Sequence, residues 1–264
     1  MLKKIIYLIV SGGLLLSGCS LDYEPLNGPS SGSFPASEEE AMAGLYAAYK
    51  GLANMTVKET PFPMRINDCI SDIGTYRTGA GNQIKAMSST LTADNTMCEK
   101  VYKTVYKIAG RVHLVLDNLD RLRGVIPEDR FNQIKAELLC IRAYYYDLGC
   151  QFYGDIPFSE AFQGRNNVLK PKFDTQKEVY TQLFADLERA NSLYDPSRAL
   201  RYPNKDLMYK GDIAKWRKFT NSLHMRLLMR LQNRDAEMGV SEKLREIVSN
   251  PARYPVMASN ADNA

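Results

Sequence analysis

His113 and His224 are the only imidazoles in the chain, so any acid–base or nucleophilic mechanism that depends on imidazole has to use one of them. Each falls inside an apolar helical pattern, with no H-E-x-x-H spacing around it and no G-x-S-x-G turn elsewhere, and both read as structural residues of helices. Asp68 and Asp72 form a carboxylate pair that could in principle pass a proton, but acids in a polar stretch more commonly solvate it or hydrogen-bond a ligand. Cys69, Cys98, Cys140 and Cys150 are scattered without a C-x-x-C pair or a histidine neighbour, so no metal site is expected. Cys140 and Cys150 lie in an apolar helical pattern and read as small buried hydrophobes, while the pairing of the four is left open. No phosphate-cradling glycine loop is present, and neither catalytic residues nor a cofactor are expected. Tyrosine stands out at 16 copies, three of them consecutive at Tyr144, Tyr145 and Tyr146. Rings with a polar edge suit binding by stacking and hydrogen bonding, although at least one of these three must face a core. Trp216 falls on an apolar helix side and reads as packing, and Lys215, Arg217 and Lys218 beside it read as a solvated face.

The remaining chemistry is at the N-terminus. Lys3 and Lys4 precede an uncharged run from Ile5 to Leu16, the layout of a secretory signal, broken by Ser11, Gly12 and Gly13 and too short to span a bilayer. The run ends at Leu16-Ser17-Gly18-Cys19, which resembles the lipobox of bacterial lipoproteins. Residues 1–18 are therefore expected to be a lipoprotein signal peptide and Cys19 the lipidated N-terminus, its acyl chains held at about 0.8 kcal/mol per buried CH₂. Losing Lys3 and Lys4 leaves 32 basic residues of the 34 against 30 acidic, a net charge of +2, which gives no support to nucleic-acid binding. Residues 19–36, rich in Pro, Gly and Ser, read as a flexible tether.

These groups must be positioned by helices. Ser37 and Glu40 have capping-box spacing, and a first helix follows to about Ala53. Residues 55–92, with Pro61, Pro63, Gly74, Gly79 and Gly81, form a long irregular connection, the first place to look for ligand contacts. A second helix over about 94–123 carries Val101, Val105, Ile108, Val112, Val115, Leu119 and Leu122 as a narrow seam. A third begins near Pro127, repeats the pattern through Ile134, Leu138, Ile141, Tyr145, Leu148 and Phe152, and ends at Gly154. Thr175 and Glu178 open a fourth that runs to Pro196, Asp212 to Gln232 a fifth, and Val240 to Ser249 a sixth. Strand alternation is nearly absent, so the fold is expected to be all-α, and helix starts near 94, 128, 175 and 213 give no fixed repeat.

Three segments together resemble the SusD/RagB family of nutrient-binding outer-membrane lipoproteins. They are Cys19 with its tether and Ser37 to Tyr46; Ile134 to Tyr146 continuing to Tyr153-Gly154-Asp155-Ile156-Pro157; and Gly211 to Phe219 with Asn221-Ser222-Leu223 and Arg226-Leu227. The resemblance implies tetratricopeptide-like stacked helical hairpins with long irregular loops over residues 37–264, and lipid-anchored exposure at the cell surface. It implies a non-catalytic role, capturing oligosaccharides or peptides for a SusC-like TonB-dependent outer-membrane transporter. Members of that family continue past the last helices seen here, whereas this sequence stops at Ser259 to Ala264, so the resemblance also implies a domain truncated at its C-terminus. The other reading of the residues is an envelope lipoprotein adaptor that binds another protein through its helical scaffold; a non-functional truncated member is the third.

Overall fold

The computed structural model describes residues 32–57, 71, 92, 96–198 and 203–263, with Phe34 onward belonging to one compact unit. Six helices organise it: α1 Glu38–Val57, α2 Thr96–Leu116, α3 Glu128–Tyr153, α4 Gln176–Leu193, α5 Ile213–Arg230 and α6 Val240–Ser249. Among the described residues there is no strand, only isolated bridges. Successive helices pack as hairpins: α2 lies on α1 and α3, α4 on α3 and α5, and α6 closes on α5. This is the stacked, tetratricopeptide-like all-α arrangement expected.

α3 is the centre, touching α1, α2, α4 and α5. The sequence suggests one narrow seam for it, but the helix buries residues on every side, because its polar Gln133, Glu137 and Asp147 are inside along with Phe131, Leu138 and Tyr146. Internal hydrogen bonds make this possible: Gln133 donates to Glu137 at 3.2 Å, and Tyr180 of α4 donates to Asp147 at 2.8 Å. Arg142 of α3 holds Asp186 of α4 through two bonds of 2.8 and 2.7 Å, a forked pair with both side chains largely buried. Gly154, at φ 73°, ends α3 in a conformation that a side chain would strain.

The helix starts follow their capping residues. Thr175 and Glu178 form the reciprocal capping box of α4, and Asp212 accepts from the Lys215 amide at 3.0 Å to start α5. Ser37 accepts from the Glu40 amide at 3.2 Å, while Glu40 reaches back to the amide of Ala36 rather than that of Ser37. Pro127 is the N-cap of α3, one position before the first turn. Three helix boundaries differ from expectation, α4 ending at Leu193 short of Pro196. α1 continues past Ala53 to Val57. The helix expected over 94–123 stops at Leu116, because the Asn118 amide side chain captures the Leu114 carbonyl at 3.0 Å and competes with the helix ladder. A 3₁₀ turn, Leu119–Leu122, then keeps Leu119 and Leu122 buried, so the apolar seam survives the break.

The approach to α5 is built on one carboxylate. Asp206, 2% exposed, accepts from the amides of Met208, Tyr209 and Gly211 at 2.8, 3.1 and 2.9 Å and from Trp216 Nε1 at 2.9 Å. Trp216 is fully buried as expected, stacked on Tyr49 of α1 at 5.1 Å between ring centroids. After α6 the chain returns along α4 and α5. Asn191 and Arg217 both donate to the Arg253 carbonyl, at 3.1 and 2.8 Å, Asn221 donates to the Pro255 carbonyl at 2.9 Å, and Ser222 accepts from the Met257 amide at 2.9 Å. Lys218 pairs with Asp262 at 2.6 Å. The reading of Lys215, Arg217 and Lys218 as a solvated face is thereby corrected: Arg217 and Lys218 hold this returning segment in place.

Candidate functional site

An open groove of about 560 Å³ lies between the start of α2 and the end of α3, lined by Thr92, Cys98, Glu99, Tyr102, Lys103, Phe152 and Tyr153. Its walls follow from sequence spacing. Tyr102 and Tyr106 are one turn apart on α2, so their rings share a face, with centroids 4.5 Å apart. Tyr153, at the last position of α3, meets Tyr102 edge-on at 5.3 Å and donates its hydroxyl hydrogen to the Cys98 carbonyl. Tyr106 donates to the Pro157 carbonyl at 2.7 Å, tying the groove wall to the segment after α3. Glu99 and Lys103 pair at 2.5 Å on the rim, and the lysine holds the carboxyl below its ordinary range.

The row of rings continues away from the groove. Tyr106 contacts Tyr146 edge-on at 6.2 Å and Phe162 at 6.1 Å, and Tyr146 meets Phe158 at 4.6 Å. Burial pushes the Tyr153 hydroxyl up to about 12 and those of Tyr106 and Tyr146 upward as well. At neutral pH they are un-ionised groups able to donate and accept hydrogen bonds. His113 lies 3.3 Å from the Tyr146 hydroxyl by Nε2 and 3.2 Å from Asp117 by Nδ1. Tyr146 is fully buried and Phe162 packs over His113 at 5.1 Å, so His113 is enclosed in packing as its helical reading implies. His224 is likewise inside, stacked on Phe184. The groove offers aromatic faces and the un-ionised Tyr153 hydroxyl beside one ion pair, a chemistry suited to holding a neutral polar ligand.

Of the other residues singled out from sequence, Tyr145 and Tyr146 are both fully buried and Tyr144 half-buried, so two of the three face the core. Cys140 and Cys150 are free and buried, their thiols pushed up to about 12 by burial, which makes them the inert hydrophobes expected. Cys98 is free and half-buried. Among the described residues no three His, Cys, Asp or Glu side chains converge on a metal position. Asp68, Asp72, Cys69 and Cys19 lie outside the described residues, as do nearly all of 55–92, although Thr92 at its end lines the groove. The outward Tyr102–Tyr106 pair was present in the sequence as an i, i+4 aromatic spacing on a helix whose inward seam is the stronger signal.

Comparison with known proteins decides what scaffold this is. Residues 45–264 match the model of SusD-like proteins, described as starch-binding and associating with the outer membrane. The chain belongs to the SusD/RagB family. A curated SusD-like relative, SusD-like protein P2 of Formosa agariphila, is 23% identical over 197 residues, which is 73% of this chain and 38% of the relative. A solved SusD/RagB family protein from Bacteroides thetaiotaomicron superposes with a TM-score of 0.63 at 20% identity, covering 84% of this chain and 44% of that one. A chitin-binding SusD homolog from Flavobacterium johnsoniae superposes with a TM-score of 0.58 at 20% identity, covering 85% and 44%. The solved structures share the SusD helical fold, and this chain spans less than half the length of each of these relatives.

Proposed function

We propose that this SusD-like chain is a non-catalytic, surface-exposed lipoprotein that captures oligosaccharides, or peptides in their place, and passes them to a SusC-type TonB-dependent transporter of the outer membrane. In this reading residues 1–18 are the signal peptide, Cys19 carries the lipid, residues 19–36 are the tether and residues 37–264 the binding domain. The observation that carries it is the Tyr102–Tyr153 groove on the family's scaffold: edge-on rings, the un-ionised Tyr153 hydroxyl and, among the described residues, no nucleophile–base pair lining it. The family's starch-binding description and the chitin-binding relative direct the first probes to those polymers.

The test is isothermal titration of the full chain with maltoheptaose, chitohexaose and a panel of oligopeptides, with Tyr102→Ala alongside. Binding to one class, lost in the variant, is the expected outcome; binding to none of them refutes the reading. Partner and anchor are tested separately. Affinity capture from envelope extracts should retain a TonB-dependent barrel, and capture of periplasmic assembly factors alone would favour an adaptor. Labelled palmitate should enter the wild-type chain and be absent from Cys19→Ser.

A further inference from the structure

The segment between α3 and α4 is a closed, internally bonded loop. Its ends meet in a bridge, the Ile156 amide donating to the Asp174 carbonyl at 3.1 Å and the Asp174 amide to the Ile156 carbonyl at 3.0 Å. The Asp174 carboxylate accepts from the amides of Phe158 and Ser159 at 2.9 and 2.7 Å and from the Ser159 hydroxyl at 2.7 Å, and Lys172 pairs with it at 3.2 Å. Glu160 accepts from the Lys172 amide at 2.9 Å, and Gln163 donates to the Ser159 carbonyl at 2.8 Å. Compact surface loops bonded in this way commonly carry function.

At the turn of this loop Phe162 adopts φ 63°, a left-handed conformation that is uncommon for a bulky side chain. The residue is nevertheless 45% exposed. A turn needing only that backbone would take glycine or asparagine, and a phenylalanine needed only for packing would be covered. The underside of the ring is seated: a Cβ on Gly110 would come within 3.0 Å of its Cε1, and His113 and Tyr106 lie 5.1 and 6.1 Å from it between centroids. Glycine at 110 is what lets the ring settle onto α2. The residues that follow, Arg165, Asn166 and Asn167, are exposed, and no hydrogen bond among the described residues occupies their side chains.

We propose that Phe162, with Arg165, Asn166 and Asn167, forms a carbohydrate-contacting subsite separate from the groove. The open ring face would stack on the C–H face of a pyranose, and the amides and guanidinium would bond its hydroxyls. Strained backbone held by surrounding bonds points toward a functional role for the side chain it presents. The two amides suit an uncharged polyol, and of the loop's basic residues, Arg165, Lys170 and Lys172, the last is already paired with Asp174. Tyr106, packed against Phe162, also touches Tyr102 of the groove, so the two sites sit on neighbouring stretches of α2.

This rests on the reading of the chain as a glycan binder, and the experiment separates the two. The full chain is titrated with maltoheptaose and chitohexaose as wild type, Phe162→Ala and Phe162→Tyr, with melting curves recorded for each. The expected result is at least tenfold weaker binding for Phe162→Ala and affinity near wild type for Phe162→Tyr, which keeps the ring. Equal binding by wild type and Phe162→Ala overturns the subsite and leaves the groove standing. Equal loss in both variants assigns the ring to loop packing and also overturns it. Binding of neither glycan by the wild type removes the reading and the subsite together. Amide exchange in the wild type needs no variant: saturating glycan should slow exchange at residues 162–167, and unchanged rates despite binding would count against the subsite.

Discussion

Replacing Asp206 with alanine should be among the most damaging single changes outside the apolar core. The carboxylate is buried and satisfies three loop amides and the Trp216 indole. The donors of Tyr209, Gly211 and Trp216 are themselves buried, and a buried donor left unmade costs about 1–3 kcal/mol. Allowing for water entering the space and for the part-buried Met208 amide resolvating, the expected loss is about 3–5 kcal/mol, a large share of the ~5–15 kcal/mol that holds a domain folded. Asp206→Asn keeps an acceptor oxygen but turns an N–H toward donors, and should lose about 1–3 kcal/mol. Trp216 is the only tryptophan, so urea unfolding followed by its fluorescence reads this site directly. Emission of the alanine variant should shift to the red before the main transition as water reaches the indole. A loss below about 1 kcal/mol with unshifted emission would refute the argument that this carboxylate organises the entry to α5.

Three further outcomes are expected. Asp186→Asn should lose about 3 kcal/mol by breaking the charged fork with Arg142, whereas Arg142→Met with Asp186→Leu should recover most of it; urea midpoints of the wild type and the two variants check this. Burial lowers the His224 imidazole to about 4, with Glu188 opposing, so its folded value lies below the ordinary 6.5. Its contribution to stability is full above about 6.5 and is lost as pH falls toward 4, so His224→Phe should flatten the decline in urea midpoint between pH 7 and 4.5. Burial, and then the charge of Asp206, push Glu137 well above the ordinary carboxyl range, so the folded state holds its proton. That contribution is full below about 4.5 and falls as pH rises toward the raised folded value, so Glu137→Gln should gain midpoint relative to wild type between pH 4.5 and 8.

The helices were legible because their apolar residues recur at helical spacing and their first turns carry capping side chains, as at Thr175 and Asp212. Trp216 was legible for the same reason. The break after Leu116 was not, since it depends on one asparagine side chain preferring a backbone carbonyl to solvent while the apolar spacing runs on through Leu119 and Leu122. The burial of α3 on more than its apolar seam was hidden by Glu137 and Asp147, acids that a pattern reading assigns to the surface; Tyr180 and Gln151 bond Asp147, and Gln133 bonds one oxygen of Glu137. Asp206 was invisible because its partners are amides in an aperiodic loop. For the candidate site, irregular composition points to 55–92, while the closed loop after α3 reads as a mere connection. Phe162 is one aromatic among polar residues there, and neither its left-handed φ nor the seat provided by Gly110 follows from local sequence.

The returning segment is fastened to α4 and α5 chiefly through its own main chain, at the carbonyls of Arg253 and Pro255 and the amide of Met257. At those main-chain points the clasp is indifferent to the local side chain, whereas buried Tyr254, bonded to Glu188 at 3.1 Å, and Asp262, paired with Lys218, are side-chain parts of it. Substitutions at Asn191, Arg217, Asn221 and Ser222 should therefore loosen the segment, while its outward side chains should tolerate change. New surface chemistry can thus be tried there across lineages without renegotiating how the strip is attached.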